Sequence, residues 1–425
     1  MTLPEEFTTY TRALMGEERF ARFLGALDEP APVSIRVNPF KAEATPETGA
    51  DRVAWCRGGY YLDSRPAFTF DPLFHAGAYY VQEASSMFID HVVRQFVHAP
   101  VTALDLCAAP GGKTTCLRAA LPEGSRLYSN EPHPKRAQIL AENVVKFGHP
   151  EVVVTNNYAI DYQRAGLRFG LILADMPCSG EGMFRKDPES IGEWSPANVE
   201  KCAALQRSIL ADIWPCLLPG GLLIYSTCTF NAHENEDNIA FAVEELGAEP
   251  VAIPVEEAWR VAGPLTGPHP ICRFIPGTTR GEGLAVALLR KPETAADLPS
   301  RDRGKGRTTP LLRVQSDGVK PPQVKGKKTL PDVSQALTIL DEANPYPRVD
   351  VGYDEAIAYL RRESIALPAA APKGLVTICH EGFALGFAKN LGTRANNLYP
   401  QEWRIRSTHR PEERPIVGLT PIVHP

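Results

Sequence analysis

Two short stretches carry cysteines at places where a structural thiol would be unusual. In DMPCSGEGMFRKD (175–187), Cys178 follows an apolar run, FGLILAD, that ends in Asp175. In YSTCTFNAHENED (225–237), Cys228 comes directly after a second apolar run, GLLIYST (221–227). A structural cysteine normally sits inside such a run, packed as a small hydrophobe. These two sit where the chain turns out of a sheet. The thiolate is the nucleophilic form of cysteine, and one chemistry that calls for a pair of thiols is methylation of a pyrimidine carbon. Carbon 5 of cytosine is too weak a nucleophile to attack a sulfonium methyl. A thiolate adding at carbon 6 makes carbon 5 enamine-like, and an acid at N3 stabilises the charge that develops. After transfer, the carbon-5 proton must leave and the enzyme thiol must be expelled, and a second thiol can serve as that base. Enzymes that methylate an amino nitrogen carry Asn/Asp-Pro-Pro-aromatic at the corresponding loop, where this chain has Met176-Pro177-Cys178.

Elements must hold the two thiols together. Between 101 and 246, short β-rich apolar runs alternate with helical stretches: VTALDLC (101–107), RLYSNE (126–131), EVVVT (151–155), LILAD (171–175) and GLLIYST (221–227). The clearest helix is expected over 195–217, with Ser195 as N-cap, Pro196 in the first turn and apolar residues at helical spacing. Pro219-Gly220-Gly221 is expected to end it and lead into the next strand. This alternation predicts an α/β fold: a doubly wound parallel sheet with helices on both faces. Both cysteines then lie at the carboxyl ends of adjacent strands, the edge where such sheets bind ligands.

The first strand runs into LDLCAAPGGKTT (104–115) on that same edge. A P-loop would need a glycine where Cys107 stands, and no GxGxxG fingerprint is present. Pro110-Gly111-Gly112 still lets backbone approach a ligand and open a helix. Glu131 ends the second strand, 19 residues after Gly112, where an acid can accept from ribose hydroxyls. A ribose-binding acid without a phosphate loop points to a nucleoside cofactor lacking phosphates, of which S-adenosylmethionine is the obvious one.

Composition sets the outer bounds. The chain has 425 residues, 44% of them hydrophobic and 22% charged, as in ordinary globular proteins. The net charge of −5 offers no basic field, so any contact with nucleic acid must come from local patches. The first residues lack the charged-then-apolar pattern of a signal peptide, and no 18-residue apolar run occurs, so a cytoplasmic protein without a membrane span is expected. Nine cysteines without a CxxC pair argue against a disulfide framework or a zinc site. Four units are expected: a mixed α/β appendage over 1–95, the doubly wound domain over 96–293, a basic linker over 294–330, and a smaller domain over 331–425. Within the linker, residues 301–328 carry nine Lys/Arg against two Asp, suited either to a solvated connection or to a strap for a phosphate backbone.

At LDLCAAPGGKT, DMPCSGEG and STCT, in order and spacing, the chain resembles the Sun-type RNA cytosine-5 methyltransferases. SIRVNP (34–39) and YYVQEASSM (79–87) are similar to N-terminal signatures of that family. The resemblance spans roughly residues 1–292. It implies Cys228 as the nucleophile, Cys178 as the group assisting release, and Asp175 as a contact to cytosine. It places S-adenosylmethionine on Cys107, Ala108, Ala109, Pro110, Gly111, Gly112, Lys113, Glu131 and Asp175. Many members carry an acid near the end of the third strand. This chain has Asn156-Asn157-Tyr158 there, and Asn157 is assigned to the adenine. DNA cytosine methyltransferases place their nucleophile in a Pro-Cys-Gln loop, unlike Pro-Cys-Ser-Gly here, which favours RNA.

Near the C-terminus, Lys389, Arg394, Arg404 and Arg406 interleave with Tyr399 and Trp403. Cations among aromatics suit RNA, where bases stack and phosphates pair. The stretch resembles the PUA-like RNA-binding module of the bacterial ribosomal-RNA branch of the family. That implies 16S ribosomal RNA or the small ribosomal subunit as partner, with the protein a monomer and the N-terminal appendage binding RNA too. The alternatives are the same chemistry on transfer RNA, or an assembly factor that binds RNA without turnover. The doubly wound domain is expected to keep its cofactor site when residues 294–425 are removed.

Overall fold

The structure, a computed structural model, describes residues 1–45, 51–295, 312–325, 328–408 and 418–422. At its centre is a nine-stranded sheet. Its strands are β1 (Thr102–Asp105), β2 (Arg126–Asn130), β3 (Val152–Thr155), β4 (Phe169–Asp175), β5 (Leu217–Thr227), β6 (Glu249–Val251), β7 (Cys272–Phe274), β8 (Leu284–Arg290) and β9 (Val314–Asp317). The order is β6-β8-β5-β4-β1-β2-β3-β9, with β7 paired to β8. Strands β1 to β5 are the five apolar runs named above, and they pair in parallel. The outer strands β6, β8 and β9 join antiparallel, so the sheet is mixed rather than purely parallel.

The two faces bury separate apolar sets. Leu171, Leu173 and Ile224 enter one core, while Ile172, Ala174, Leu223 and Tyr225 enter the other. Helices α1 (Gly112–Ala120), α2 (Pro134–Phe147) and α3 (Pro196–Ile213) cover the sheet. The Ser195 hydroxyl accepts from the Asn198 N–H, capping α3 as expected. Pro219-Gly220-Gly221 does not separate helix from strand. It forms a bulge inside β5, where Leu217 pairs with Phe169 and Leu222 already pairs with Leu171. Gly220 takes a left-handed φ of 74° there, a conformation that costs glycine little.

The ends of the chain depart most from expectation. Residues 301–311 of the basic segment lie outside the described residues. Beyond them, Val314–Asp317 pairs with β3 and extends the main sheet, so this part of the connection is folded. The C-terminal unit has a four-stranded sheet, with Gly374–His380 and Phe383–Asn390 at its centre. It shares one core with the N-terminal appendage: Ile35, Val37, Phe70 and Tyr79 pack with Ile357, Tyr359, Val376 and Ile378. Leu419–Pro421 pairs antiparallel with Ala42–Ala44.

Tyr399 was expected to stack on RNA, but it lies in this shared core, 1% exposed, against Tyr359 and Trp403. Its neighbours Lys389, Arg394, Arg404 and Arg406 are exposed. This aromatic was recruited to packing, which leaves the exposed cations for phosphate.

A shared core makes one cooperative unit of the two ends. Ile35→Ala and Ile357→Ala should each cost about 2–5 kcal/mol and shift the same unfolding transition in urea. Removing residues 294–425 should likewise destabilise the N-terminal appendage, because it strips the cover from Ile35, Val37 and Tyr79, while the central sheet, with its own two cores, keeps a transition. Two independent transitions in the full chain would contradict this.

Candidate active site

Strands β4 and β5 pair with Asp175 opposite Ser226, so their loops leave the sheet side by side. The Cys178 and Cys228 sulfurs meet 3.2 Å apart, both partly exposed at the rim. The hydrogen bond from Cys178 lowers the pKa of the Cys228 thiol, against burial and the Asp175 charge, and Lys113 adds to the lowering. The same bond, together with burial, pushes Cys178 well above the usual thiol range. The pairing therefore favours ionisation of Cys228 over Cys178.

Asp175 stands beside them. Its Oδ1 accepts from the Ser226 hydroxyl at 2.7 Å, and its Oδ2 accepts from Lys113 Nζ at 3.0 Å. A carboxylate has about four lone-pair sites, so two donors do not exhaust it. Burial opposes the charge on Lys113, but the Asp175 partner outweighs it and holds the pKa above the usual lysine range. Lys113, in the first turn of α1, thus links the glycine loop to the cysteine rim.

The loop between β1 and α1 is tied back by its carbonyls. Asn130 Nδ2 donates to Leu106 O at 3.0 Å, Arg136 to Ala109 O at 3.0 Å, and Asn143 Nδ2 to Pro110 O at 2.8 Å. The Ala108 N–H donates to Asn130 O at 2.8 Å. Gly111 takes φ 116°, which favours glycine. A Cβ on Gly112 would lie 3.1 Å from the Tyr80 ring, so a side chain there would crowd the opening of α1, whose first N–H groups have no intrahelical partner. Burial raises the Cys107 thiol well above its usual range, with Asp175 adding to the effect, and keeps it neutral.

Glu131 is buried at the end of β2. Its Oε1 accepts from the His133 N–H at 2.9 Å, and its Oε2 lies 3.4 Å from Arg136. Asp105, the last residue of β1, is an acid that the sequence reading passed over. Its Oδ2 accepts from the Thr114 hydroxyl at 2.6 Å. Its buried Oδ1 has no hydrogen-bond partner among the described residues, and burial pushes its carboxyl up to about 7. The available signal was positional: Asp105, Glu131 and Asp175 are acids at three strand ends on one edge. This set fits a phosphate-free nucleoside with a cationic amino-acid tail, since its acceptors are carboxylates and its two nearby cations, Lys113 and Arg136, are ion-paired.

Asn157 is placed differently from its assignment. Its amide clamps the backbone of Arg313: Oδ1 accepts from the Arg313 N–H at 3.1 Å and Nδ2 donates to Arg313 O at 3.2 Å. A side chain committed in both directions is poorly placed to read an adenine amino group, and the clamp anchors the approach to β9.

Comparison with known proteins fits this geometry. Residues 98–290 match the family described as 16S rRNA methyltransferase RsmB/F, residues 3–84 the N-terminal domain of 16S rRNA methyltransferase RsmF, and residues 346–405 the methyltransferase RsmF PUA domain. Ribosomal RNA small subunit methyltransferase F of Serratia proteamaculans is 32% identical over 73% of this chain and 68% of its own length. The chain belongs to this methyltransferase F family. The Enterobacter sp. relative is 27% identical over 94% of the chain and 95% of its own length. Among solved structures, a methyltransferase homolog protein from Pyrococcus horikoshii matches with a TM-score of 0.57 and 25% identity, over 68% of this chain and 95% of its own. NSun6 from the same organism, solved with SFG, matches with a TM-score of 0.56 and 20% identity, over 68% of this chain and 98% of its own, and so shares the fold. The family is S-adenosylmethionine-dependent, and the rim from Asp105 to Glu131 suits that cofactor. Among the described residues no helix is long and apolar enough to cross a membrane.

Two measurements check the site. A charge-assisted hydrogen bond is worth roughly 1.5–3 kcal/mol, so Glu131→Ala should weaken S-adenosylmethionine binding by about tenfold or more in calorimetry, with the protein still folded. Because the Cys178 hydrogen bond lowers the pKa of Cys228, losing it must raise that pKa. Cys178→Ala should therefore move the inflection for alkylation of Cys228 by iodoacetamide to higher pH, followed by peptide mass spectrometry. A shift to lower pH would assign the charge to the wrong sulfur.

Proposed function

We propose that this protein methylates carbon 5 of cytosine in small-subunit ribosomal RNA, with Cys228 as the covalent nucleophile. The observation that carries the reading is the cysteine pair itself, 3.2 Å apart with the Asp175–Lys113 pair alongside. An RNA-binding module without turnover has no use for such a pair. The names of the relatives supply the substrate class, 16S ribosomal RNA.

The bound cofactor supplies an electrophilic methyl group. The chain's own residues do the rest. Cys228, already biased to thiolate, adds to carbon 6. Asp175, held by Ser226 and Lys113, contacts the base, and the Lys113 ammonium beside it balances the negative charge pushed into the ring. Once Cys228 is bonded to carbon, its negative charge no longer opposes ionisation of Cys178. The partly exposed Cys178 thiol can then release its proton to solvent, its thiolate takes the carbon-5 proton, and the electrons of that C–H bond restore the ring double bond as the Cys228 thiolate leaves. Exposed Lys389, Arg394, Arg404 and Arg406, with the basic segment 301–328, hold the RNA backbone, so affinity falls with added salt.

The roles of the thiols separate on a denaturing gel of enzyme, RNA and S-adenosylmethionine. Cys178→Ala should accumulate a covalent RNA adduct, and Cys228→Ala should form none. The reverse pattern would exchange the two roles. Bisulfite sequencing of ribosomal and transfer RNA from a deletion strain should show loss of a 5-methylcytosine in the 16S molecule alone.

A further inference from the structure

The two cysteine loops are bound to each other by a pair of buried carboxylates, each carried by one loop and gripping the other. Glu181, on the Cys178 loop, accepts at Oε2 from the backbone N–H of Phe230 at 2.6 Å and of Asn231 at 3.0 Å, just beyond Cys228. Glu234, on the Cys228 loop, accepts at Oε2 from the backbone N–H of Ser179, next to Cys178, at 3.0 Å. Asn231 bridges them, its Nδ2 donating to Glu181 Oε1 at 3.0 Å and to Glu234 Oε1 at 2.8 Å. Gln206 Nε2 donates to Glu234 Oε2 at 2.7 Å and to Pro177 O at 2.8 Å. The Gly182 N–H closes the contact on Cys228 O at 2.7 Å.

Glu181 is 1% exposed and Glu234 fully buried. Among the described residues neither has a cationic partner within ion-pair distance. Burying a carboxylate without a counter-charge is costly, and a fold that needed only packing would do better with an apolar side chain. What these charges obtain is short, directional bonds to backbone N–H groups adjoining both cysteines.

We propose that Glu181 and Glu234 are positioning residues that set the separation and alignment of the two reactive sulfurs. This rests on the reading of Cys228 and Cys178 as partners in one reaction. Without the crossed grip each loop is free to move alone, the Cys178 hydrogen bond lengthens, and the lowering of the Cys228 pKa is lost with it.

The test needs neither RNA nor methyl donor. Diamide oxidises the reduced full-length protein. A thiolate adds to the diazene nitrogen, the second thiolate attacks that sulfur to form the disulfide, and the reagent leaves as the hydrazine with both thiol protons. Peptide mass spectrometry follows closure of the Cys178–Cys228 pair with time. A displacement of about 1 Å can cost on the order of a hundredfold in rate. Glu181→Gln and Glu234→Gln should therefore slow closure by about tenfold or more and move Cys228 alkylation to higher pH, while S-adenosylmethionine binding persists. Asn231→Ser, which removes the bridge while leaving both carboxylates their backbone donors, should slow closure by a smaller factor and is the deciding variant if the glutamate variants do not fold. Closure at the wild-type rate, with an unchanged alkylation profile, in any folded glutamate variant or in Asn231→Ser would overturn the proposal. Rapid closure in a wild-type protein that makes no 5-methylcytosine would instead overturn the functional reading and leave the positioning role standing.

Discussion

Asp175 and Ser226 stand opposite each other in the parallel pairing of β4 with β5, and the chemistry at the rim hangs on that register. A slip of one residue would turn every side chain of one strand to the wrong face. Two cores oppose the slip, since alternate residues of both strands are claimed by opposite faces of the sheet. The Ser226–Asp175 hydrogen bond marks the last step of the ladder. Beyond it the loops diverge only far enough to bring two sulfurs together. Packing deep in the sheet therefore determines a distance at its edge, and the buried carboxylates of the two loops carry that control across the last few residues.

The central fold was legible because its cues are local. Five short runs rich in β-formers and one well-capped helix, Ser195-Pro196, declare themselves within a few positions. The antiparallel additions were not legible. Strands β6, β7 and β9 are short, and β9 lies in a basic stretch with no apolar alternation. What recruits β9 is a bare edge on β3 and the Asn157 clamp, both contributed by residues about 160 positions away. The Pro219-Gly220-Gly221 bulge shows the same limit. A turn signal marks a break in regular backbone, and only the pairing partner decides whether the break ends a strand or bends it.

The site divides in the same way. Cys178, Cys228, Asp175, Lys113 and Glu131 could be named because each follows a strand signal on the same edge, and topology then brings them together. Asp105 shares that cue and was passed over in favour of the glycine loop beside it. Asn157 and Tyr399 went astray for a common reason. Their side-chain types suit a ligand, but each was taken up by the protein itself, one by backbone amides and the other by a core. Glu181 and Glu234 lie inside the two quoted motifs, yet nothing in a sequence says that each reaches across to the other's loop.

The pairing of Ala42–Ala44 with Leu419–Pro421 has a bearing on how the molecule is made. The Thr45 hydroxyl finds its acceptor on Gly418, 373 positions later. At ordinary rates of elongation that interval takes on the order of tens of seconds, during which Ile35, Val37 and Tyr79 have been synthesised but their cover has not. Contacts of such long sequence separation form late and slowly. The N-terminal appendage must therefore wait, partly uncovered, while the central sheet assembles beside it. Its apolar surface stays partly uncovered until Leu419–Pro421 has emerged to pair with Ala42–Ala44.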